Sequence, residues 1–188
     1  MHREPLLAIL EVYLERFPED RVRADHIRQF VRTHSKCFER SCTEGHITAS
    51  AWITSRDYRQ VLLTHHRKLE TWLQLGGHAD GDPDPARVAR REAEEESGLS
   101  SLEPFPSGVD LLPFDVDVHL IPPYRGEPAH LHHDLRFLFT ADSGEPLRIS
   151  AESKDLRWFA WRELEKVSRE GSLLRMARKA RSMVRSNQ

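Results

Sequence analysis

This sequence of 188 residues is poor in cysteine and has neither a long apolar run nor an excess of one charge. Two cysteines are too few for a disulfide framework. No stretch approaches the ~18 apolar residues that span a bilayer. Glu11 and Glu15 interrupt the apolar residues near the N-terminus, so we expect no signal peptide. The net charge of −2 gives no reason to expect nucleic acid as a partner. We therefore expect a cytoplasmic protein that contacts no membrane.

The composition suits one globular domain with a sizeable core, because 38% of the residues are hydrophobic and 31% are charged. Residues 5–34 have helical periodicity, which Pro18 interrupts and which Asp20 could restart as an N-cap. The remaining pattern predicts strands over residues 47–54, 60–64, 72–75, 109–121, 131–140 and 156–159, and helices over 85–97, 162–169 and 173–184. This order indicates an α/β or α+β fold, with a helical extension over residues 1–40 and a domain over residues 41–188.

One predicted helix carries a cluster of glutamates. Asp84 can cap its start, and Gly98 can close its end. Glu92, Glu95 and Glu96 stand at positions i, i+3 and i+4, so they share one face with Cβ atoms roughly 5–6 Å apart. Such carboxylates repel one another unless a cation lies between them, and hard oxygen ligands suit Mg²⁺ or Mn²⁺. The alternative is a solvent-exposed acidic face, because runs of glutamate are common on helices.

The spacing around this helix resembles the Nudix box, the motif of the Nudix hydrolase family. In that motif a glycine is followed, at a fixed distance, by Arg-Glu-hydrophobic-x-Glu-Glu-x-Gly-hydrophobic. Gly77 opens the pattern here, and it closes in register with Arg91-Glu92-Ala93-Glu94-Glu95-Glu96-Ser97-Gly98-Leu99. The sequence departs from the motif at Pro83, where the motif has a glutamate that pairs with the arginine. Asp82 or Asp84 could take the part of that missing acid.

The resemblance implies a Nudix α/β/α sandwich with a mixed sheet. It also implies a hydrolase, dependent on Mg²⁺ or Mn²⁺, that cleaves a phosphoanhydride bond of a nucleoside diphosphate linked to another moiety. The implied metal ligands are Glu92, Glu95, Glu96, the carbonyl of Gly77 and, from a later loop, Glu152; the implied catalytic residues are Arg91, Glu95 and Glu96. An exposed loop acid is an equal alternative for Glu152. Many members of the family dimerise, which leaves a homodimer open.

Two predicted strands carry polar residues in alternation: Asp115, Asp117 and His119 in one, and His132, Asp134 and Arg136 in the other. Because successive side chains of a strand point to opposite faces, each set lies on one face. If the strands pair, the two sets form a polar surface beside the metal helix. We interpret this surface as a substrate pocket, in which Arg136 grips a phosphate or carboxylate and Asp134, His46 and His78 contact the substrate. The alternative is a solvent-exposed face with cross-strand ion pairs.

Three further patterns have alternative interpretations. The set His34, Cys37, Cys42 and His46 could hold a structural zinc, although the wide spacing favours ordinary loop residues. The last helix carries Arg175, Arg178, Lys179, Arg181 and Arg185, which favours a solvated basic face over contact with phosphate or RNA. Isopentenyl diphosphate isomerases share the Nudix fold, but their reactive cysteine is replaced by Gly76 here. A Nudix-fold sensor, which binds a nucleotide without cleaving it, typically loses the glutamates that this sequence keeps.

Overall fold

Two helices joined by a single 3₁₀ turn form the N-terminal part of the fold. The computed structural model describes residues 2–107, 111–123 and 126–186, and it places α1 at Glu4–Arg16, the turn at Pro18–Asp20 and α2 at Arg21–Thr33. Pro18 has no amide hydrogen and separates the two helices as expected. The expected N-cap is wrong, because the Asp20 carboxylate accepts hydrogen bonds from side chains instead of from α2 amides. Its donors are Tyr13, Arg23 and Lys179.

A mixed sheet forms the centre of the fold. Its strands are β1 (Gly45–Ser55), β2 (Gln60–His66), β3 (Thr71–Leu73), β4 (Leu75–His78), β5 (Glu103–Pro104), β6 (Asp115–Ile121), β7 (His130–Ala141) and β8 (Ser153–Ala160). β1 is parallel to β7 along its whole length and antiparallel to β2 and β4. β5 and β6 pair with the far edge of β7, and β2 also pairs with β3 and β8. The predicted α/β class with a mixed sheet is thereby confirmed.

Two of the predicted strands differ clearly in their bounds, and the two-residue β5 was not predicted. The strand predicted over residues 72–75 is divided between β3 and β4, and β4 continues through both glycines because Gly76 and Gly77 pair with Ser50 and Ala49 of β1. The strand predicted over residues 109–121 begins only at Asp115. Residues 109 and 110 lie outside the described part of the chain. The continuation of β4 matters for function, since it holds the glycine backbone beside the next helix.

Helices cover both faces of the sheet. The first face packs against α1, α2 and the helix α3 (Pro85–Ser97) in one core, the helical core. This core includes Leu6, Leu10, Ile27, Val31, Ile47, Ala49, Val88, Ala93, Leu135 and Phe137. The second face packs against α5 (Gly171–Ser186), which follows a 3₁₀ turn at Trp161–Glu163 and the short α4 (Leu164–Val167). This second core includes Trp52, Phe114, Leu138, Leu173, Met176 and Ala180. The alternation of side chains along β1 and β7 therefore serves two separate cores.

Local signals define both ends of α3. Asp84 accepts hydrogen bonds from the amides of Ala86 and Arg87 at 3.1 and 3.2 Å, and Pro85 occupies the first helical position. Gly98 ends the helix with a left-handed backbone, φ 73°. The helix therefore has the bounds that the sequence predicts.

Helix α5 packs on the sheet through its apolar side, as the sequence predicts, but only part of its basic face is solvated. Arg175 donates hydrogen bonds to Asp115 at 2.9 Å and to Asp117 at 2.8 Å. Lys179 pairs with Asp115 at 3.1 Å and also with Asp20. Only the outward positions Arg178, Arg181 and Arg185 are exposed among its basic residues in the described chain. The inward bases instead join α5 to β6 and to the N-terminal helices.

Candidate active site

The glutamates of α3 lie directly against the glycine backbone of β4. The Glu96 carboxylate accepts a hydrogen bond from the amide of Gly76, at 3.2 Å. A Cβ atom at Gly77 would overlap the carboxylate of Glu92, so any larger residue here would displace that carboxylate. The Glu92 side chain is 16% exposed. The helix and the strand thus hold two carboxylates in a narrow, partly desolvated space.

Burial and mutual repulsion act on these carboxylates. Burial raises the pKa of Glu96 to about 7, with the negative charges of Glu92, Glu152 and Glu95 adding to the effect and the Gly76 amide opposing it. Burial also raises the pKa of Glu92. Carboxylates that repel one another in a space with little water fit a divalent cation, and their hard oxygen atoms are the ligands that Mg²⁺ prefers.

Arg91 connects the glutamates to β4. Its Nη2 donates a hydrogen bond to the carbonyl oxygen of His78 at 3.0 Å and forms an ion pair with Glu92 Oε1 at 2.9 Å. Its Nη1 lies 3.9 Å from Glu95 Oε2. The Glu95 side chain is 62% exposed, so it faces solvent at the mouth of the carboxylate cluster. Arg91 therefore contacts both glutamates, Glu92 through a short ion pair and Glu95 through a longer one.

The loop before α3 differs from the prediction. Asp82 forms a two-pronged ion pair with Arg87, at 2.5 and 2.7 Å, and Asp84 caps the helix. Neither carboxylate forms an ion pair with Arg91 within the described residues. The prediction that one of them replaces the acid missing at Pro83 is wrong, because the nearer Arg87 and the helix amides take both side chains.

An ion pair beside the carboxylates was missed by the sequence analysis. Arg40 donates two hydrogen bonds to Asp80, at 2.6 and 2.9 Å. The charges of Glu92 and Glu152 both act on Arg40 and help to raise its pKa, after the larger effect of Asp80. Arg40 lies in the loop before β1, where no motif singles it out. Only the folded chain brings this cation to the edge of the carboxylate cluster.

Glu152 lies close to the same cluster. Its negative charge contributes to the raised pKa of both Glu92 and Glu96. Its backbone carbonyl accepts a hydrogen bond from the amide of Arg67 at 2.9 Å, which fixes the loop before β8. The structure therefore brings the loop carboxylate within electrostatic reach of the helix carboxylates, as a further metal ligand would require.

The polar surface of β6 and β7 forms because the two strands pair, with Asp115 opposite Arg136 and His119 opposite His132. It does not lie beside α3, the helix that carries the glutamates. Gly77 faces Glu92 of α3, so the next residue of β4, His78, points to the other face of the sheet. His78 is opposite Thr48, which shares the second face with the polar set. The carboxylates and the polar surface are therefore separated by the sheet.

Arg136 is not available to a substrate, which corrects its predicted role. Its side chain is 2% exposed, and it donates hydrogen bonds to Asp134 at 2.8 Å, Asp115 at 3.0 Å and Asp117 at 3.1 Å. Asp134 is equally buried and accepts hydrogen bonds from two hydroxyl groups of β1 as well. Strand alternation predicted the shared face of these residues but not that α5 covers it. Both side chains bind each other rather than a ligand.

The predicted substrate residues His46 and His78 lie farther along the same face, in a group of histidines. The ring centroids of His46 and His78 are 4.9 Å apart, and each is 4.9 Å from the ring of His132. The alternative zinc set with the two cysteines does not form. His34 instead stacks on Phe30, with ring centroids 4.3 Å apart, and both cysteines are free thiols in the helical core.

The family described as the NUDIX domain matches residues 45–183.

The chain belongs to the Nudix family.

This finding confirms the resemblance of the box residues, and the chain is a Nudix pyrophosphohydrolase by family. Its match begins at residue 45, so α1 and α2 lie outside it. Nudix hydrolases generally depend on a divalent metal.

Solved structures share the Nudix fold. A NUDIX-family hydrolase from Clostridium perfringens is 25% identical, with a TM-score of 0.56, and the match covers 71% of this chain and 95% of that one. An Ap4A hydrolase from C. elegans, solved as a binary complex, is 16% identical with a TM-score of 0.58, over 74% and 98% of the two chains. The dihydroneopterin triphosphate pyrophosphohydrolase of E. coli is 13% identical with a TM-score of 0.53, over 70% and 91%. A comparison with curated proteins gave no match.

In the described part of the chain, no helix combines the length and the hydropathy that crossing a bilayer requires.

Proposed function

We propose that this Nudix enzyme hydrolyses a phosphoanhydride bond in a nucleoside diphosphate linked to another moiety, with Mg²⁺ or Mn²⁺ as its cofactor. The observation that carries the proposal is the contact of Glu92 and Glu96 with the glycine backbone of β4. Acidic helix faces are common on protein surfaces, but this contact removes part of the water around the carboxylates. Their oxygen atoms can then bind a cation that also binds a phosphate.

The proposed metal ligands are Glu92, Glu95 and Glu96, with the carbonyl of Gly77 and the carboxylate of Glu152 as further oxygen donors. The close approach of the Glu92 carboxylate to Gly77 supports this assignment. The negative charges of the neighbouring carboxylates, which help to raise the pKa of Glu92 and Glu96, support it as well. A bound divalent cation lowers the pKa of a water molecule and offsets charge on the leaving phosphate.

The protein's own groups position this chemistry. The Gly76 amide holds one oxygen of Glu96, which leaves its second oxygen to accept a proton from the attacking water. Arg91 is held by the His78 carbonyl and in turn fixes the direction of Glu92. Its position beside Glu95 also places a positive charge at the exposed mouth of the cluster, where an anionic substrate enters.

We expect a small-molecule substrate, without a nucleic acid or membrane partner, and a homodimer is compatible with the family. Two free cysteines support a reducing, cytoplasmic location. We propose residues 1–40 as an extension packed onto a domain of residues 41–188, since the helical core includes side chains from both parts.

The test is phosphate release from a panel of nucleotide phosphoanhydrides, with products identified by mass. The panel contains nucleoside diphosphate sugars, ADP-ribose, dinucleoside polyphosphates and oxidised nucleotides, each with and without Mg²⁺. We expect Glu96→Gln to lower turnover ~100-fold or more with folding intact, because a ligand or proton acceptor is lost. Glu94→Gln is the matched control, since Glu94 is an exposed glutamate of the same helix that pairs with Arg90.

Each alternative has its own outcome in this assay. Binding of a nucleotide with no turnover across the panel would establish a sensor. Isomerase activity is disfavoured because Gly76 replaces the reactive cysteine and both cysteines lie in the helical core. Rates like those of the wild type in both Glu95→Gln and Glu96→Gln would overturn the site assignment.

A further inference from the structure

Five histidines meet on the face of the sheet that is turned away from the carboxylates. They come from four strands: His78 from β4, His46 from β1, His130 and His132 from β7, and His119 from β6. The strand register explains the meeting, because His132 is directly opposite His46 on one side and His119 on the other. His130 shares their face, since it lies two residues before His132 in the same strand.

Three of these rings have the geometry of a metal site. The centroid of the His46 ring lies 4.9 Å from those of His130 and His132, which are 5.3 Å from each other. One nitrogen from each ring can be chosen so that all three lie within 4.8 Å of one another. A single ion can contact three nitrogens at such separations after small rotations of the rings, since metal–nitrogen bonds are ~2.0–2.1 Å long.

Several ring nitrogens of the cluster have no hydrogen-bond partner in the described part of the chain. His46 is 4% exposed, yet neither of its ring nitrogens has a hydrogen-bond partner among the residues that the structure describes. The same holds for Nε2 of His132. Buried polar atoms without a partner are rare because they lose the hydrogen bonds of water and gain none in return. An ion at the centre of the cluster would bind one nitrogen of His46 and one of His132 at the same time.

His130 has the second contact that metal-binding histidines usually make. Its Nδ1 lies 3.0 Å from the backbone carbonyl of Pro128. When Nδ1 donates to that carbonyl, Nε2 carries a lone pair and the ring is held in one orientation. A ring with one nitrogen held by a backbone carbonyl and the other available is typical of a metal ligand. It is less typical of a histidine that only packs against its neighbours.

We propose that His46, His130 and His132 form a binding site for a transition-metal ion of the Zn²⁺ class, separate from the magnesium site of the Nudix box. Imidazole nitrogens suit Zn²⁺, Co²⁺, Ni²⁺ and Cu²⁺, whereas Mg²⁺ takes oxygen ligands. Three protein ligands leave a fourth position for water or for a further group. His78 supplies the nearest additional ring, 4.9 Å from two of the three. The ion joins the start of β7 to the start of β1.

The test is a metal titration of the untagged, full-length protein after treatment with a chelator. Zn²⁺ binding is measured by calorimetry in excess Mg²⁺, and Co²⁺ binding by its visible absorption. We expect one Zn²⁺ per chain, and His130→Ala should weaken binding by about 100-fold or more, because even outer contacts of a metal site contribute 10- to 100-fold. His65→Ala is the control, since His65 lies on β2 and contacts Trp72 instead of the cluster.

Two comparisons separate this site from the Nudix box. Glu96→Gln should bind Zn²⁺ as tightly as the wild type, and loss of binding in that variant would move the ion to the carboxylates and overturn the proposal. Unchanged Zn²⁺ binding in His130→Ala would overturn it as well. Should a histidine variant fail to fold, the wild type decides, because Cu²⁺ bound here must show nitrogen couplings from imidazole in its electron paramagnetic resonance spectrum. A spectrum without them refutes the site.

Discussion

Replacing Arg136 by methionine is a direct test of how the second face of the sheet is stabilised. Arg136 is buried against Asp134, Asp115 and Asp117. Asp115 and Asp117 also contact Arg175, so each keeps a cation when Arg136 is removed. Asp134 has no second cation among the described residues, and its remaining partners are hydroxyl groups of β1. The variant therefore leaves one buried carboxylate without a counter-charge.

The expected loss is large. Removing one partner of a buried ion pair costs about 3–5 kcal/mol. For a chain of this length, each kcal/mol lowers the midpoint of thermal unfolding by roughly 2–4 °C. We therefore expect Arg136→Met to lower the midpoint by roughly 6–20 °C at neutral pH, and to lower the urea midpoint correspondingly. Arg178→Met is the control, because this exposed base on α5 should change stability by less than ~0.5 kcal/mol.

A second substitution separates charge from packing. Asp134→Asn in the Arg136→Met background removes the carboxylate that lost its partner, so the double variant should be more stable than Arg136→Met alone. The reasoning is refuted if Arg136→Met costs less than ~1 kcal/mol, or if the effects of the two substitutions simply add. Either result would mean that water or a protonated carboxylate replaces the guanidinium at little cost.

Three further predictions follow from other contacts. Gly77→Ala should displace the Glu92 carboxylate and lower metal-dependent turnover by ~100-fold in a phosphate-release assay, with little change in thermal stability. Asp84→Ala should cost about 1 kcal/mol in urea unfolding, because two α3 amides lose their cap. Although burial opposes it, hydrogen bonds from Lys179 and Tyr13 lower the pKa of Asp20. Asp20 therefore contributes stability that is present above its unfolded pKa of about 3.9 and is lost as the pH falls through its lower folded pKa. Asp20→Asn should be less stable at neutral pH and should lose less stability on acidification, as followed by thermal unfolding down to about pH 2.

The sequence predicted those features whose causes are local. The bounds of α3 follow from a cap at Asp84 and a left-handed glycine at Gly98, both next to the residues that they affect. The box residues Glu92 and Glu96 share a face because helical spacing alone puts them there. The alternation of polar residues along β6 and β7 likewise predicted which side chains share a face.

The features that could not be predicted depend on which distant elements meet. Asp20 looks like a helix cap, but Lys179, far along the chain, binds its carboxylate. Arg136 looks like a ligand-binding residue because strand alternation gives its face without showing that α5 covers that face. His130 joins the histidine cluster only through the register of β1 with β7, which the sequence does not specify.

The contact of Lys179 with Asp20 has a consequence for the order of folding during synthesis. A chain emerging from the ribosome exposes Asp20 long before Lys179, and until that amine arrives the carboxylate has only Tyr13 and Arg23 as partners. We therefore expect the N-terminal helices to stay loosely attached to the growing sheet. Their final docking should wait until α5 has been translated, so that closure of the β6 edge depends on nearly the whole polypeptide.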